Sequence, residues 1–234
     1  MGKKGTLFVV ATPIGNLQDI TLRALDVLKS VDLVVAEDTR KALALLSHYN
    51  IRKPVLSLHR HSPGRRIEEI VRELKGGKKI ALISEAGTPG ISDPGEELVR
   101  RCGEEGIDTV PIPGASALTA ALSISGLPTR SFLFFSFPSR KRSKRKKLLE
   151  ELKEYPHTLV FFESPHRIKE TLEDILEIMG DRKVVICREM TKLYEEIYRG
   201  MVSEALNWLA QKEIKGEFTV VLEGRFPSKA VNKS

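Results

Sequence analysis

The sequence predicts an α/β protein in two halves, the first built on a parallel sheet and the second on a mixed one. Three observations predict it. Short, near-continuous apolar runs alternate with amphipathic stretches along the whole chain, the pattern of strands covered on both faces and joined by helices. The composition is globular, 41% hydrophobic and 29% charged over 234 residues, enough chain to bury a sizeable core. The alternation also stops and restarts once, around residues 113–129, where Pro and Gly punctuate the pattern.

The first half reads as strands Leu7–Ala11, Leu33–Ala36, Val55–Leu58, Ile80–Ser84 and Thr109–Ile112. Helices fall between them at Thr21–Ser30, Thr39–Tyr49, Arg65–Lys75 and Glu96–Glu105. Ile67, Ile70, Val71 and Leu74 recur at helical spacing with Arg and Glu between them, and Gly76-Gly77 ends that helix. A further apolar helix covers Ala115–Ser125. The second half reads as strand Phe132–Phe137, then a basic run continuing as a helix to about Tyr155. Strands follow at Thr158–Glu163, Lys183–Arg188 and Phe218–Glu223, with helices Ile168–Gly180 and Val202–Ile214. Ile197–Gly200 adds a short antiparallel strand, so this sheet is mixed. The expected domains are residues 1–114 and 115–225, with a frayed tail at 226–234.

Several function classes are excluded or disfavoured. No apolar run approaches the roughly 20 residues of a membrane span. The run at Leu7–Ala11 is too short for a signal-peptide core, so a cytoplasmic protein is expected. Cys102 and Cys187 lack metal-ligand spacing and are expected to be buried free thiols. Neither the dinucleotide fingerprint nor the P-loop is present, which argues against a nucleoside triphosphate hydrolase.

The net charge is +7, and its source is local. Arg140, Lys141, Arg142, Lys144, Arg145, Lys146 and Lys147 supply seven basic residues within eight positions. Without them 31 basic residues face 31 acidic ones. A single dense basic patch on a balanced protein points to phosphate contact with a polyanion, positioning it without reading sequence. Phe132, Phe134, Phe135 and Phe137 precede the run and are expected to be core residues of a strand rather than a stacking platform for bases.

Three Gly-bearing loops follow strands one, four and five: Thr12-Pro13-Ile14-Gly15-Asn16-Leu17, Ser84 through Gly95, and Pro113-Gly114-Ala115-Ser116-Ala117. Ligands of open α/β sheets bind at the carboxyl ends of strands, and glycine lets backbone approach a ligand closely. In the second loop Asp93 is expected to cap the following helix. Charged clusters end three more strands: Glu37-Asp38-Thr39-Arg40, Glu163-Ser164-Pro165-His166-Arg167 and Arg188-Glu189. Any one of these reads as helix capping and surface ion pairing, with Asp38 or Ser164 as the cap. Together they imply a functional edge.

These motifs, with Ser125-Gly126-Leu127-Pro128, Met190-Thr191-Lys192 and Lys215-Gly216-Glu217, resemble the ribosomal RNA small subunit methyltransferase I family of the tetrapyrrole methylase superfamily. The resemblance runs from about Leu7 to Gly224. It implies two α/β domains of the tetrapyrrole methylase type, with S-adenosylmethionine in the cleft between them, and a homodimer. It implies methylation of a cytidine ribose 2′-hydroxyl in small-subunit ribosomal RNA, on free RNA or the 30S subunit. Thr12, Pro13, Ile14, Gly15, Ser84, Glu85, Ala86, Gly87, Thr88, Ser116 and Ala117 would line the cofactor. The family usually carries Asp at the position of Glu85, and Gly-Phe-Leu-Pro where this chain reads Ser136-Phe137-Pro138.

A sulfonium is already an activated leaving group, so this chemistry calls for no metal. A ribose hydroxyl is a weak nucleophile and benefits from a base. Glu163, Glu189 and Glu37 are the candidates, with Arg188 or Arg40 holding a neighbouring phosphate. Glu163 is preferred because it ends an apolar strand. Arg40 and Arg167 join the basic run as expected RNA contacts. Two rivals stay open: a methylase of small tetrapyrroles on the same scaffold, and a non-catalytic RNA-binding assembly factor.

Overall fold

A computed structural model describes residues 4–59 and 64–225. The chain forms two compact units, 1–116 and 117–234. The expected tail at 226–234 lies outside the described residues.

The first unit is a five-stranded parallel sheet of β1 (Thr6–Val10), β2 (Leu33–Ala36), β3 (Val55–Ser57), β4 (Ile80–Ile83) and β5 (Asp108–Ile112), in the order β3-β2-β4-β1-β5. Its helices are α1 (Leu22–Ser30), α2 (Thr39–His48), α3 (Gly64–Lys75) and α4 (Glu96–Glu104), with a 3-10 turn at Leu17–Asp19. The near-continuous apolar strands are explained by two cores, one on each face. Leu7, Val35, Ile80 and Leu82 pack with Ile67, Ile70, Leu74 and Leu98 of α3 and α4. Their neighbours Val10, Val34, Ala81 and Ile83 pack with Ala24, Leu28, Ala42 and Leu46 of α1 and α2. Because side chains alternate across a strand, only an uninterrupted apolar run serves both layers. Pro111 is tolerated because β5 is an edge strand.

The second unit holds α5 (Ala117–Ser125), β6 (Phe132–Phe134), α6 (Arg142–Leu152), β7 (Thr158–Glu163), α7 (Ile168–Met179), β8 (Lys183–Arg188), β9 (Glu196–Met201), α8 (Val202–Ala210) and β10 (Phe218–Leu222). Its sheet runs β6-β7-β10-β8-β9, with β6 parallel to β7 and the other pairs antiparallel, so it is mixed. Leu149, Leu159, Phe161, Leu172, Ile175, Ile186, Leu209 and Val220 form its core.

Three local expectations are corrected. The strand expected over Phe132–Phe137 ends at Phe134, because Ser136 takes φ +56° and turns the chain out of the sheet. Asp93 does not cap α4. The N-cap is Gly95 at φ +146° with no side-chain cap, and Asp93 stands two residues too early. Ser164 caps nothing with its hydroxyl, since Arg167 occupies the N-cap of α7. Asp38 does cap, accepting from the N–H groups of Arg40 at 2.8 Å and Lys41 at 3.3 Å. Cys102 and Cys187 are buried and unbridged. No helix among the described residues is long and apolar enough to cross a membrane.

Candidate active site

The strand order places β4, β1 and β5 side by side, so the three glycine-bearing loops leave one edge of the first sheet next to each other. They are joined by direct bonds. Thr12 N–H donates to Gly87 O at 2.9 Å and Gly87 N–H donates back to Thr12 O at 3.0 Å, a two-residue antiparallel bridge outside the sheet. The Thr12 hydroxyl donates to Ser84 O at 3.2 Å, and the Ser84 hydroxyl to Gly87 O at 3.0 Å. The Thr88 hydroxyl reaches Ala115 O of the third loop at 3.4 Å.

Gly87 is the residue on which this convergence turns. Its φ is +81°, and a Cβ there would stand 3.3 Å from Ile14 Cγ2 and 3.6 Å from Ala115 O. The positive φ favours glycine here, and a side chain would crowd the loops on either side. Thr12 and Ser84 are buried, and their side chains stitch the loops together. Pro13 and Ile14 are buried behind them, whereas Gly15, Glu85 and Ala86 are exposed and Thr88 and Ser116 half-exposed. Ala117 begins α5 in the second unit.

Glu85 carries an ion pair that the sequence does not announce: Lys41 of α2 donates to its carboxylate. The signal was the topology, because β2 and β4 are neighbours and their following loops must meet. The register pairs Val35 with Leu82, so two residues on Glu37 leaves the sheet alongside Ser84. Glu37 is half-buried, and among the described residues no hydrogen bond or ion pair engages its carboxylate.

The other two carboxylates are engaged. Glu163 is 1% exposed. Its Oε1 accepts from Ser164 N–H at 2.7 Å and pairs with Arg167 Nη2 at 2.6 Å, and its Oε2 accepts from the Thr171 hydroxyl at 2.7 Å. Both oxygens of the carboxylate preferred as base are therefore engaged by neighbours within the chain. Arg167, expected as an RNA contact, is held mostly within the chain. Its remaining nitrogens donate to Ser164 Oγ at 3.2 Å and Pro138 O at 3.0 Å.

Glu189, at φ +51°, accepts from Lys192 Nζ and Glu217 N–H, both at 2.9 Å. Burial pushes its carboxyl up, but the Lys192 ammonium and the Glu217 N–H outweigh this and hold it below the ordinary carboxylate value. A depressed pKa makes a weak base. Gly216 lies under this side chain, where a Cβ would come 2.5 Å from Glu189 Cγ. Arg188 donates to Lys215 O at 2.7 Å and to Glu196 at 2.8 Å. Arg40 extends into solvent with 92% of its side chain exposed.

The basic run divides. Arg145 is fully buried and corrected as an RNA contact, its guanidinium lying 2.7 Å from Asp174 of α7. Arg142 and Lys146 also pair with Asp174 or Glu177. Arg140, Lys141, Lys144 and Lys147 are exposed, and among them only Lys147 has a carboxylate within 4.0 Å among the described residues.

Residues 6–206 match the model of the Tetrapyrrole (Corrin/Porphyrin) Methylases. The chain is 52% identical over 221 residues, 94% of its length and 99% of the relative's, to the ribosomal RNA small subunit methyltransferase I of Thermotoga maritima. It is 51% identical to the protein of that name from Halalkalibacterium halodurans, covering 94% of this chain and 76% of the relative.

The chain belongs to the ribosomal RNA small subunit methyltransferase I family, within the tetrapyrrole methylases.

The fold of that superfamily is the one observed. The crystal structure of a cobalt precorrin-4 methyltransferase superposes with a TM-score of 0.69 at 18% identity, over 93% of this chain and 94% of the other. Family membership makes this chain a methyltransferase, and a methyl donor belongs to its reaction.

Proposed function

We propose that the chain transfers the methyl group of S-adenosylmethionine to the 2′-hydroxyl of a cytidine ribose in small-subunit ribosomal RNA, acting in the cytoplasm as a homodimer. The observation that carries the reading is the closure of the three loops on Gly87, in a chain half identical to relatives named for this substrate. The residues fit the donor. Gly15, Ala86 and Ser116 are exposed or half-exposed residues where an adenosine could rest, and Glu85, beside Lys41, carries a carboxylate suited to a ribose diol or an ammonium group. The exposed half of the basic run, which a small tetrapyrrole would not need, favours a polyanionic substrate.

When bound, the cofactor supplies a methyl on sulfur that leaves without further activation. The chain's own contribution is to hold the acceptor ribose in line and to accept its proton. Bound there, the cofactor would give up its methyl, with the electron pair of the broken bond remaining on its sulfur. The oxygen–methyl bond forms, and the hydroxyl proton goes to a carboxylate. Glu37 takes that role, because Glu163 and Glu189 are held by their own neighbours. Positioning supplies much of the rate in a displacement of this kind.

Calorimetric titration with S-adenosylmethionine tests the cofactor reading. The wild type should bind it, and Gly87→Ala should bind it at least tenfold more weakly while remaining folded. A folded Gly87→Ala with unchanged affinity removes this loop from the site.

A further inference from the structure

One exposed aromatic side chain stands apart from both the glycine loops and the carboxylate clusters. Phe137 follows β6 closely and is 52% exposed, against the expectation that this phenylalanine is core. Its ring leans on Phe162 on one side, at a centroid distance of 5.6 Å, and Phe162 in turn packs edge-on against Phe134 at 5.0 Å. The backbone around Phe137 is fixed on both sides. Ser136 adopts φ +56°, which turns the chain out of the sheet immediately before Phe137. The turn is clamped from both ends. Phe162 N–H donates to Ser136 O at 2.8 Å, and Arg167 Nη1 donates to Pro138 O at 3.0 Å. Arg167 is itself fixed by the buried Glu163 carboxylate at 2.6 Å. Thus the residues on either side of Phe137 are held by the end of β7 and the start of α7, while the ring between them faces solvent.

The surroundings specify the occupant. Arg140, Lys141 and Lys144 follow within seven residues at the start of α6, all exposed. Among the described residues none of the three has a carboxylate within 4.0 Å. An aromatic face flanked by unneutralised cations is the construction that binds single-stranded nucleic acid, the ring stacking on a base while the cations meet phosphates. Acidic peptides also seek cations, but they offer no flat π-face to an exposed phenylalanine, and Phe132, likewise expected to be core, is 41% exposed at the start of β6.

We propose that Phe137 stacks on an unpaired base of the RNA substrate, and that the Glu163–Arg167 ion pair is the positioning element that holds the stacking loop in place. This rests on the reading that the substrate is RNA, and it assigns the buried Glu163 a purpose that general-base chemistry does not. Stacking has no sequence preference of its own, so the ring adds affinity and holds the strand without selecting the nucleotide.

The test is binding of fluorescein-labelled oligocytidylate to the full chain, with methyl transfer to 30S subunits measured in parallel. Phe137→Ala should weaken oligonucleotide binding about 5- to 150-fold, the range found when one stacked base is given up. Phe137→Trp should bind at least as well as wild type, and its new indole should be quenched on binding, over the signal of the native Trp208. Phe137→Leu, apolar but not aromatic, should behave like Phe137→Ala. Arg167→Ala should also weaken binding, and the double variant Phe137→Ala with Arg167→Ala should bind no worse than Phe137→Ala alone, because both remove the same stacking interaction. Additive losses overturn the positioning role. Wild-type affinity in Phe137→Ala or Phe137→Leu overturns stacking, as does a change in oligomeric state in place of a change in RNA binding. If wild-type protein methylates 30S subunits while Phe137→Ala binds and reacts normally, the stacking proposal alone has failed. If wild-type protein transfers no methyl to RNA, the functional reading has failed.

Discussion

Arg145 and Asp174 form a fully buried ion pair, with Nη2 2.7 Å and Nε 2.8 Å from Oδ2. It joins α6 to α7 beneath the basic surface. Arg142, held at 2.8 Å on the other carboxylate oxygen, has its guanidinium pKa raised by the hydrogen bond to Asp174.

Breaking one side of this pair leaves a buried charge uncompensated, at a cost of about 3–5 kcal/mol. Asp174→Ala should therefore lower unfolding free energy by that order in urea titration. Replacing both partners by Met and Leu should recover most of the loss, since a well-packed apolar pair avoids desolvation altogether. A double variant as unstable as Asp174→Ala contradicts this account of the pair.

The division of the basic run predicts which cations meet phosphate. Replacing Arg140, Lys141, Lys144 and Lys147 with Ser should weaken RNA binding and flatten its dependence on log salt, by roughly 0.7–0.9 for each phosphate no longer neutralised. Folding and S-adenosylmethionine affinity should be unchanged. Binding curves that overlay the wild type at every salt concentration show that this surface is merely solvated.

The base assignment separates two glutamates. Glu37→Gln should leave the cofactor bound and lower the rate of methyl transfer by about 10²-fold, the lower end of general-base effects. Glu163→Gln should act through stability and RNA affinity, because its carboxylate holds Arg167, Thr171 and the Ser164 N–H. A Glu37→Gln enzyme with the wild-type rate removes this base.

The depressed Glu189 carboxyl has a signed consequence for acid stability. A group whose pKa falls on folding stabilises the fold above its unfolded value and ceases to do so as pH drops through the folded one. The unperturbed value is 4.5, so the contribution is complete above that pH and drains away below it. The stability difference between wild type and Glu189→Gln should be flat above pH 4.5 and shrink on further acidification. A difference that stays constant into strong acid shows that Lys192 and the Glu217 N–H do not hold the charge.

Much of the fold is legible in the sequence because apolar runs and helical spacing report burial directly. The run Leu33–Ala36 serves two cores and reads as nothing but a covered strand. The meeting of the glycine loops is legible as a consequence of parallel strands. Where charge is equated with exposure, the reading fails. Arg145 looks like a surface residue among its basic neighbours, yet it stands four residues before Leu149 and seven before Leu152, on the buried stripe of α6. Its spacing carries the signal that its charge conceals. Asp174, on the buried face of α7, is the complementary case. Glu163 ends an apolar strand, which correctly indicates burial, but three donors arriving from Ser164, Arg167 and Thr171 follow only from the folded corner. Phe137 escapes a sequence reading because a strand pattern does not announce a positive φ at Ser136.

Methylation of a cytidine ribose in small-subunit RNA is tested by finding where the transferred methyl ends up. Unmethylated 30S subunits and free small-subunit RNA are incubated with the protein and methyl-labelled S-adenosylmethionine, the RNA is digested to nucleosides, and the label is located by mass spectrometry. Label is expected in 2′-O-methylcytidine at a single position of the RNA. Label on a base carbon or nitrogen, or labelled tetrapyrrole in place of labelled RNA, contradicts it.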